Sequence, residues 1–220
     1  MNCRHLTGQA LRGLAVVVAL SAAPSRAAEP PPLPTLGVEQ LRPMLAELKA
    51  GGHVFYFRHG LTRQDQEDRQ PIVREDCATQ RNLSDDGRRQ ATAIGAAFRK
   101  LGIPVGQVLS SPFCRALETS RLAFGGATAS DDLYFAIGLP KPEREAKGAA
   151  LRKLLAHVPA SGRNDVIVAH TANLEEAVGF WPKPEGAAIL FRPDGNEGFR
   201  IVGRVEAETW TALAGGAGKP

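Results

Sequence analysis

Two short runs of the chain are almost wholly apolar. His53-Val54-Phe55-Tyr56-Phe57 and Asp165-Val166-Ile167-Val168-Ala169 have the composition of buried strands. Other stretches carry apolar residues at helical spacing. Leu41, Leu45 and Leu48 mark a helix over Val38 to Lys49, stopped by Ala50-Gly51-Gly52. Ser84 reads as an N-cap followed by Asp85 and Asp86, and Ala91, Ile94, Phe98 and Leu101 form one face of the helix it opens, closed by Gly102-Ile103-Pro104. Gln107 to Ser110 reads as a short strand, and Ser111-Pro112 as the start of a helix that carries Arg115, Glu118 and Arg121. The pattern further predicts a strand over Asp132 to Ile137, a helix over Pro142 to His157 and a short helix over Asn173 to Val178. Ala187 to Phe191 and Phe199 to Val205 complete the chain as strands joined by Pro193-Asp194-Gly195-Asn196, a turn signal. Strands alternating with helices imply an α/β sandwich with a mostly parallel sheet. Leu61 to Leu83 is polar and irregular; such a loop either lies over a site or is a solvated excursion.

The ends read differently from the middle. Residues 1–27 have a basic start (Arg4, His5, Arg12), the apolar run Leu14 to Leu20 and Ser25-Arg26-Ala27, the plan of a secretory signal peptide cleaved after Ala27. A retained membrane anchor is the alternative. Residues 28–37 form a Pro-rich leader, 38–210 the folded domain and 211–220 a flexible tail. The whole chain has 27 Lys+Arg against 23 Asp+Glu. Arg4, Arg12 and Arg26 leave with the signal, so the mature balance is 24 against 23, or +1. That removes the support for a polyanion-binding role, and no nucleic-acid partner is expected. After cleavage no membrane span is expected either, and the place of action is the periplasm or the exterior. Cys77 and Cys114 then remain, either as a disulfide in an oxidising compartment or as free buried thiols. There is no metal-site spacing of the CxxC or HExxH kind.

Three segments carry candidate chemistry. Arg58-His59-Gly60 ends the first strand, Ser110-Ser111-Pro112-Phe113-Cys114-Arg115 links a strand to a helix, and His170 ends the Asp165–Ala169 run. In a parallel sheet all three open on the carboxyl edge, where ligands of open α/β sheets bind. Gly60 is expected to allow a sharp turn and close approach to the backbone. Two histidines and two arginines make a cationic pocket. Arginine binds phosphate bidentately and stays charged. A neutral imidazole is a nucleophile that a phosphate dianion does not repel, and histidine is neutral near pH 7.

With these residues the chain resembles the histidine phosphatase superfamily, the phosphoglycerate mutase-like proteins. The matching pieces are Arg58-His59-Gly60-Leu61-Thr62, Asn82 to Ala91 (NLSDDGRRQA), Ser110 to Thr119 (SSPFCRALET) and Val166 to His170, in the family's order. The resemblance implies a three-layer α/β/α sandwich. It implies His59 as phospho-accepting nucleophile, His170 as stabiliser of the transferring group, and Arg58, Arg115 and Thr62 as phosphate ligands. It implies catalysis without metal or other cofactor.

Some positions depart from the family pattern. Asp65 stands where many members have asparagine, so either Asp65 is expected to point away or the loop to shift. Neither family proton donor is in its place: Asp131 to Ala136 contains no glutamate, and Thr171 rather than an aspartate follows His170. The general acid is unassigned, with Asp131, Asp132, Glu143 and the acids of Asp65 to Asp68 as candidates. Glu118 reads as a structural ion-pair partner; Glu185-Gly186, ahead of a strand, reads as a turn, with a place facing the pocket as the alternative. The reading is an exported phosphatase that hydrolyses a phosphomonoester or related phosphoryl group on a small substrate or a phosphoprotein. A mutase-type phosphotransferase and a non-catalytic phospho-ligand binder are the alternatives.

Overall fold

The computed structural model describes residues 33–216. The expected signal peptide, residues 28–32 of the leader and residues 217–220 lie outside the described residues. The elements in chain order are α1 (Val38–Ala50), β1 (Val54–Arg58), α2 (Asp85–Leu101), β2 (Val105–Ser110), α3 (Cys114–Phe124), β3 (Thr128–Ala129), α4 (Lys141–Ala156), β4 (Asn164–Ala169), α5 (Thr171–Val178), β5 (Ala188–Pro193), β6 (Phe199–Val205) and α6 (Ala207–Gly216). One six-stranded sheet has the order β3-β2-β4-β1-β5-β6. The first four strands in that order are parallel, and β5 and β6 are antiparallel to their neighbours. The fold is therefore the mixed α/β type with a mostly parallel sheet.

The period-two alternation of β1 explains the layers. Phe55 and Phe57 face α1, α2 and α6, packing with Leu41, Leu48, Ile94, Phe98, Trp210 and Leu213. Val54 and Tyr56 face the other way, onto Leu151, Leu155 and Leu174 of α4 and α5. A strand covered on both faces cannot alternate apolar with polar, which is why Val54 to Phe57 of β1 and Val166 to Ala169 of β4 read as unbroken apolar runs. The Phe55 ring meets Phe98 edge-on at 5.2 Å and Trp210 at 5.9 Å. Burying side chains of this size contributes about 2–3 kcal/mol each. At the amino end of the sheet, the Asn164 side chain accepts from the His53 N–H and donates to the Leu48 and Pro104 carbonyls, tying α1, β1, β2 and β4 together. Ser84 caps α2 by accepting from the Gly87 N–H, as its sequence position predicts.

The larger departures from expectation are these, beside shifts of one or two residues at the ends of β2, α4 and α5. Asp132 to Ile137 is not a strand: a 3-10 turn spans Asp131–Leu133, only Leu133 of that turn is buried, and the Asp131 carboxylate pairs with Arg74 instead. The edge strand is β3, two residues long and just upstream. Helix α3 starts at Cys114 rather than at Ser111-Pro112, because the Ser111 N–H donates to the Val168 carbonyl and carries the sheet one residue further. The tail expected over 211–220 is helical as far as Gly216, since Trp210 and Leu213 lie on one buried face. The leader's end belongs to the domain too: Leu36 is buried and its N–H donates to the Arg204 carbonyl.

Candidate active site

The sheet register builds the site. Arg58 of β1 pairs with Ala169 of β4, so the residues that follow, His59 and His170, leave the sheet side by side. The His59 N–H donates to the Ala169 carbonyl at 3.1 Å, and the imidazole rings lie edge to face with centroids 5.3 Å apart. β2 is the next strand over, with Ser110 opposite Val168. The turn after it brings Arg115, at the start of α3, under the same edge. Gly60 serves close approach rather than a left-handed turn: a Cβ there would stand 3.1 Å from the Gly87 carbonyl, and Gly87 in turn leaves room for the Leu61 carbonyl.

His59 is buried, and its Nδ1 lies 2.9 Å from the Gly60 carbonyl oxygen. A carbonyl only accepts, so Nδ1 carries the hydrogen and the lone pair sits on Nε2. Burial and then the Arg115 charge push His59 well below the ordinary imidazole value, and Arg58 and Arg81 act in the same direction. His170 is shifted the same way, by burial first and then by Arg115 and His59. Both rings are therefore neutral near pH 7. His170 Nε2 is 2.8 Å from the Ser111 hydroxyl, its backbone carbonyl accepts from the Tyr56 hydroxyl, and the rings of Phe113 and Phe135 pack against it at 5.1 and 4.6 Å.

Arg115 has no exposed surface. Its guanidinium lies over the Phe113 ring, 4.6 Å from the centroid. Nη1 donates to the Asp68 carboxylate at 2.9 Å and to the Arg81 carbonyl at 3.2 Å. Nε and Nη2 are buried without a hydrogen-bond partner among the described residues. Two unpaired donors of a buried cation are costly to leave unsatisfied. They fit an anion such as a phosphoryl group. The Arg115 backbone is tied to the first motif through Thr119, whose hydroxyl donates to the Arg115 carbonyl and accepts from the Gly60 N–H.

The structure brings His59, His170, Arg58 and Arg115 to one edge of the sheet. Thr62 is also buried there, but its donors are turned elsewhere: the hydroxyl donates to Glu185 Oε1 and the N–H to Glu185 Oε2, both at 2.9 Å. Arg58 Nη2 donates to the same Glu185 Oε1 at 2.9 Å. Glu185 lies in a turn, as expected, and it also faces the pocket, the alternative reading: it is a buried carboxylate inside the site. Its only signal is an acid-glycine pair ahead of a buried strand. Of the candidate acids, Asp68 alone reaches the site. Asp65 is exposed and paired with Arg63, Asp131 is exposed and paired with Arg74, and Asp132 and Glu143 are exposed. Glu118 is an ion-pair partner of Arg88.

The polar loop from Leu61 to Leu83 lies against this edge. Asp68 accepts from the Arg81 N–H as well as from Arg115. A disulfide joins Cys77 of the loop to Cys114 at the head of α3, and the Gln80 side chain accepts from the Cys114 N–H. Of the two alternatives open for these cysteines, the paired one is found.

Comparison with known proteins bears on the family pattern and the fold. The sequence profile of the histidine phosphatase superfamily (branch 1) matches residues 54–130, which hold Arg58, His59, Thr62 and Arg115. A search of curated proteins finds no match. Among solved structures the fold is similar to the protein histidine phosphatase SixA complexed with tungstate, with a TM-score of 0.50 at 17% identity over 70% of this chain and 97% of that one. It is similar to a phosphoserine phosphatase of Entamoeba histolytica, with a TM-score of 0.51 at 13% identity over 71% and 98%. It is also similar to the product of the open reading frame Rv3214 of Mycobacterium tuberculosis, with a TM-score of 0.50 at 19% identity over 70% and 98%. By the profile over residues 54–130 and by its fold, the chain is similar to the histidine phosphatase superfamily.

Proposed function

We propose that the protein is a phosphatase that hydrolyses a phosphomonoester or related phosphoryl group through a phosphohistidine on His59. The observation that carries this reading is the buried Arg115 guanidinium, with Nε and Nη2 unpaired, beside two buried imidazoles held neutral. His59 Nε2 attacks phosphorus while Nδ1–H stays on the Gly60 carbonyl, which supports the positive charge the ring gains. The P–O bond to the leaving group breaks. Arg115, Arg58 and His170 stabilise charge on the transferring oxygens. Water then attacks the phosphohistidine and releases inorganic phosphate. Asp68 is the one acid of the candidate set near this path, and it is engaged by Arg115. That favours substrates whose leaving group departs without a strong acid, such as an aryl or acyl phosphate or a phosphohistidine.

Export is part of the same proposal. The signal-like residues 1–27 lie outside the described residues, and the Cys77–Cys114 disulfide supports an oxidising compartment. No helix among the described residues is long and apolar enough to cross a membrane. The test is hydrolysis of a generic aryl phosphate by wild type and by His59→Ala, with acid-labile covalent labelling from radiolabelled substrate. Turnover and label should both vanish in the variant, by about three orders of magnitude or more in rate. A wild type that binds phosphate and turns nothing over refutes the enzyme in favour of a binding protein. Transfer of the phosphoryl group within a sugar acid refutes it in favour of a mutase.

A further inference from the structure

We propose that Glu185 is a positioning residue, whose carboxylate fixes the Arg58 guanidinium and Thr62 in one arrangement beside His59. This rests on the phosphoryl-transfer reading given above. Glu185 is 7% exposed. Its Oε1 accepts from Arg58 Nη2 and the Thr62 hydroxyl, and its Oε2 accepts from the Thr62 N–H, all at 2.9 Å. Arg81 Nη2 stands 3.9 Å from Oε1, so two guanidinium groups converge on one oxygen. The backbone around Glu185 is pinned as well. Its carbonyl accepts from Gln90 Nε2 at 3.3 Å, and the next N–H, that of Gly186, donates to the His59 carbonyl at 2.8 Å. The carboxylate is therefore built on the same peptide that holds the nucleophile.

The physical argument is one of cost and consequence. A buried carboxylate is costly unless its oxygens are fully used. Here both oxygens are used, and by residues that flank His59 in sequence and in space. A guanidinium is a rigid fork: engaging one edge fixes the direction of the other. Arg58 and Glu185 are 17% and 8% exposed at their side chains, so water and salt screen the pair only weakly. A merely structural acid would not need to take both donors of Thr62 as well.

Two other roles for Glu185 give opposite readings, which makes the test decisive. A carboxylate that competes with substrate for Arg58 would, when removed, tighten anion binding. A proton donor would, when removed, hurt poor leaving groups far more than good ones. Glu185→Gln and Glu185→Ala are measured in the whole protein, with thermal melts, inorganic phosphate affinity by calorimetry, and kcat and KM for an aryl and an alkyl phosphate. Positioning predicts phosphate binding at least tenfold weaker in Glu185→Ala and less affected in Glu185→Gln. It predicts equal factors of loss in kcat/KM for both esters, and effects that fail to add with Thr62→Val. Tighter or unchanged phosphate binding overturns the proposal, as does a loss confined to the alkyl ester. Failure of both variants to fold assigns Glu185 to the fold and overturns it too. A wild type that binds phosphate without turnover refutes the phosphatase reading alone, and phosphate affinity in the variants still decides the role of Glu185.

Discussion

Replacing both Cys77 and Cys114 by serine should cost stability and substrate binding together. The bond closes a loop of 37 residues. In the chain-entropy account a loop of that length constrains the unfolded chain by about 4 kcal/mol at 25 °C. For a domain of this size each kcal/mol moves the midpoint by about 2–4 °C, so the double variant should melt about 8–16 °C lower. The second effect is local. Cys114 immediately precedes Arg115, and Cys77 sits three residues before Gln80, whose side chain accepts from the Cys114 N–H. Arg81 follows, and its carbonyl takes one of the Arg115 donors. Without the covalent tie these hydrogen bonds remain, each worth about 1 kcal/mol net, too little to hold a polar loop in one place. Phosphate affinity should then fall several-fold at a temperature where the variant is fully folded. The assay is a thermal melt followed by circular dichroism, with phosphate titration at 20 °C and a thiol count on denatured wild type to verify the bond. A shift below about 2 °C with the bond verified refutes the entropic argument. A full shift with unchanged phosphate affinity refutes the link from loop to Arg115.

Two further outcomes follow from the same geometry. His59 and His170 both have folded pKa values pushed below their unfolded value of about 6.5. Above that pH both states are neutral and the pair contributes nothing. Below it the unfolded chain takes up protons that the native chain refuses, so stability falls with falling pH by up to about 1.4 kcal/mol per unit for each histidine. Urea unfolding at a series of pH values checks this, and His59→Ala should remove about half of the pair's slope; a flat profile below pH 6.5 counts against it. Gly87→Ala should destabilise the fold by about 2 kcal/mol or more, because the new Cβ would stand 1.9 Å from the Leu61 carbonyl and must displace the segment that follows His59. Its kcat for an aryl phosphate should fall as well, and wild-type kcat in a destabilised variant would show that the displacement goes the other way, into α2.

The parts of the fold that the sequence predicts well are those whose local pattern and tertiary environment agree. The centres of β1 and β4, Val54 to Phe57 and Val166 to Ala169, are buried on both sides, so those positions are apolar. α2 carries its own cap, an acidic first turn and a regular apolar face. The missed parts are those that tertiary contacts decide. β3 is two residues long, too short for any period, and it exists because Leu109 and Ser110 offer an edge to Thr128 and Ala129. α6 is rich in alanine and glycine and resembles a tail, and it is held by Trp210 packing on Phe55 and Phe98. Neither has a signal inside its own window.

The same division runs through the site, and it bears on how the arginines work. The motif residues were readable because each sits at the end of a strand or the head of a helix, where topology dictates position. Their partners, Asp68 and Glu185, come from irregular segments that lie near the sheet edge only after folding. Yet the partners decide which donors remain for substrate. Arg115 gives Nη1 to Asp68 and keeps Nε and Nη2, while Arg58 gives Nη2 to Glu185. Arg58, Arg81 and Arg115 face two carboxylates, so the buried edge keeps an excess of one positive charge beside two neutral imidazoles. A carboxylate on each fork does not cancel the cation. It spends one edge of the guanidinium to aim the other, and it lowers the cost of keeping the charge buried before substrate arrives. On this argument the acids of the loops would set the direction of the proposed phosphate site, and the arginines of the motifs would supply its strength.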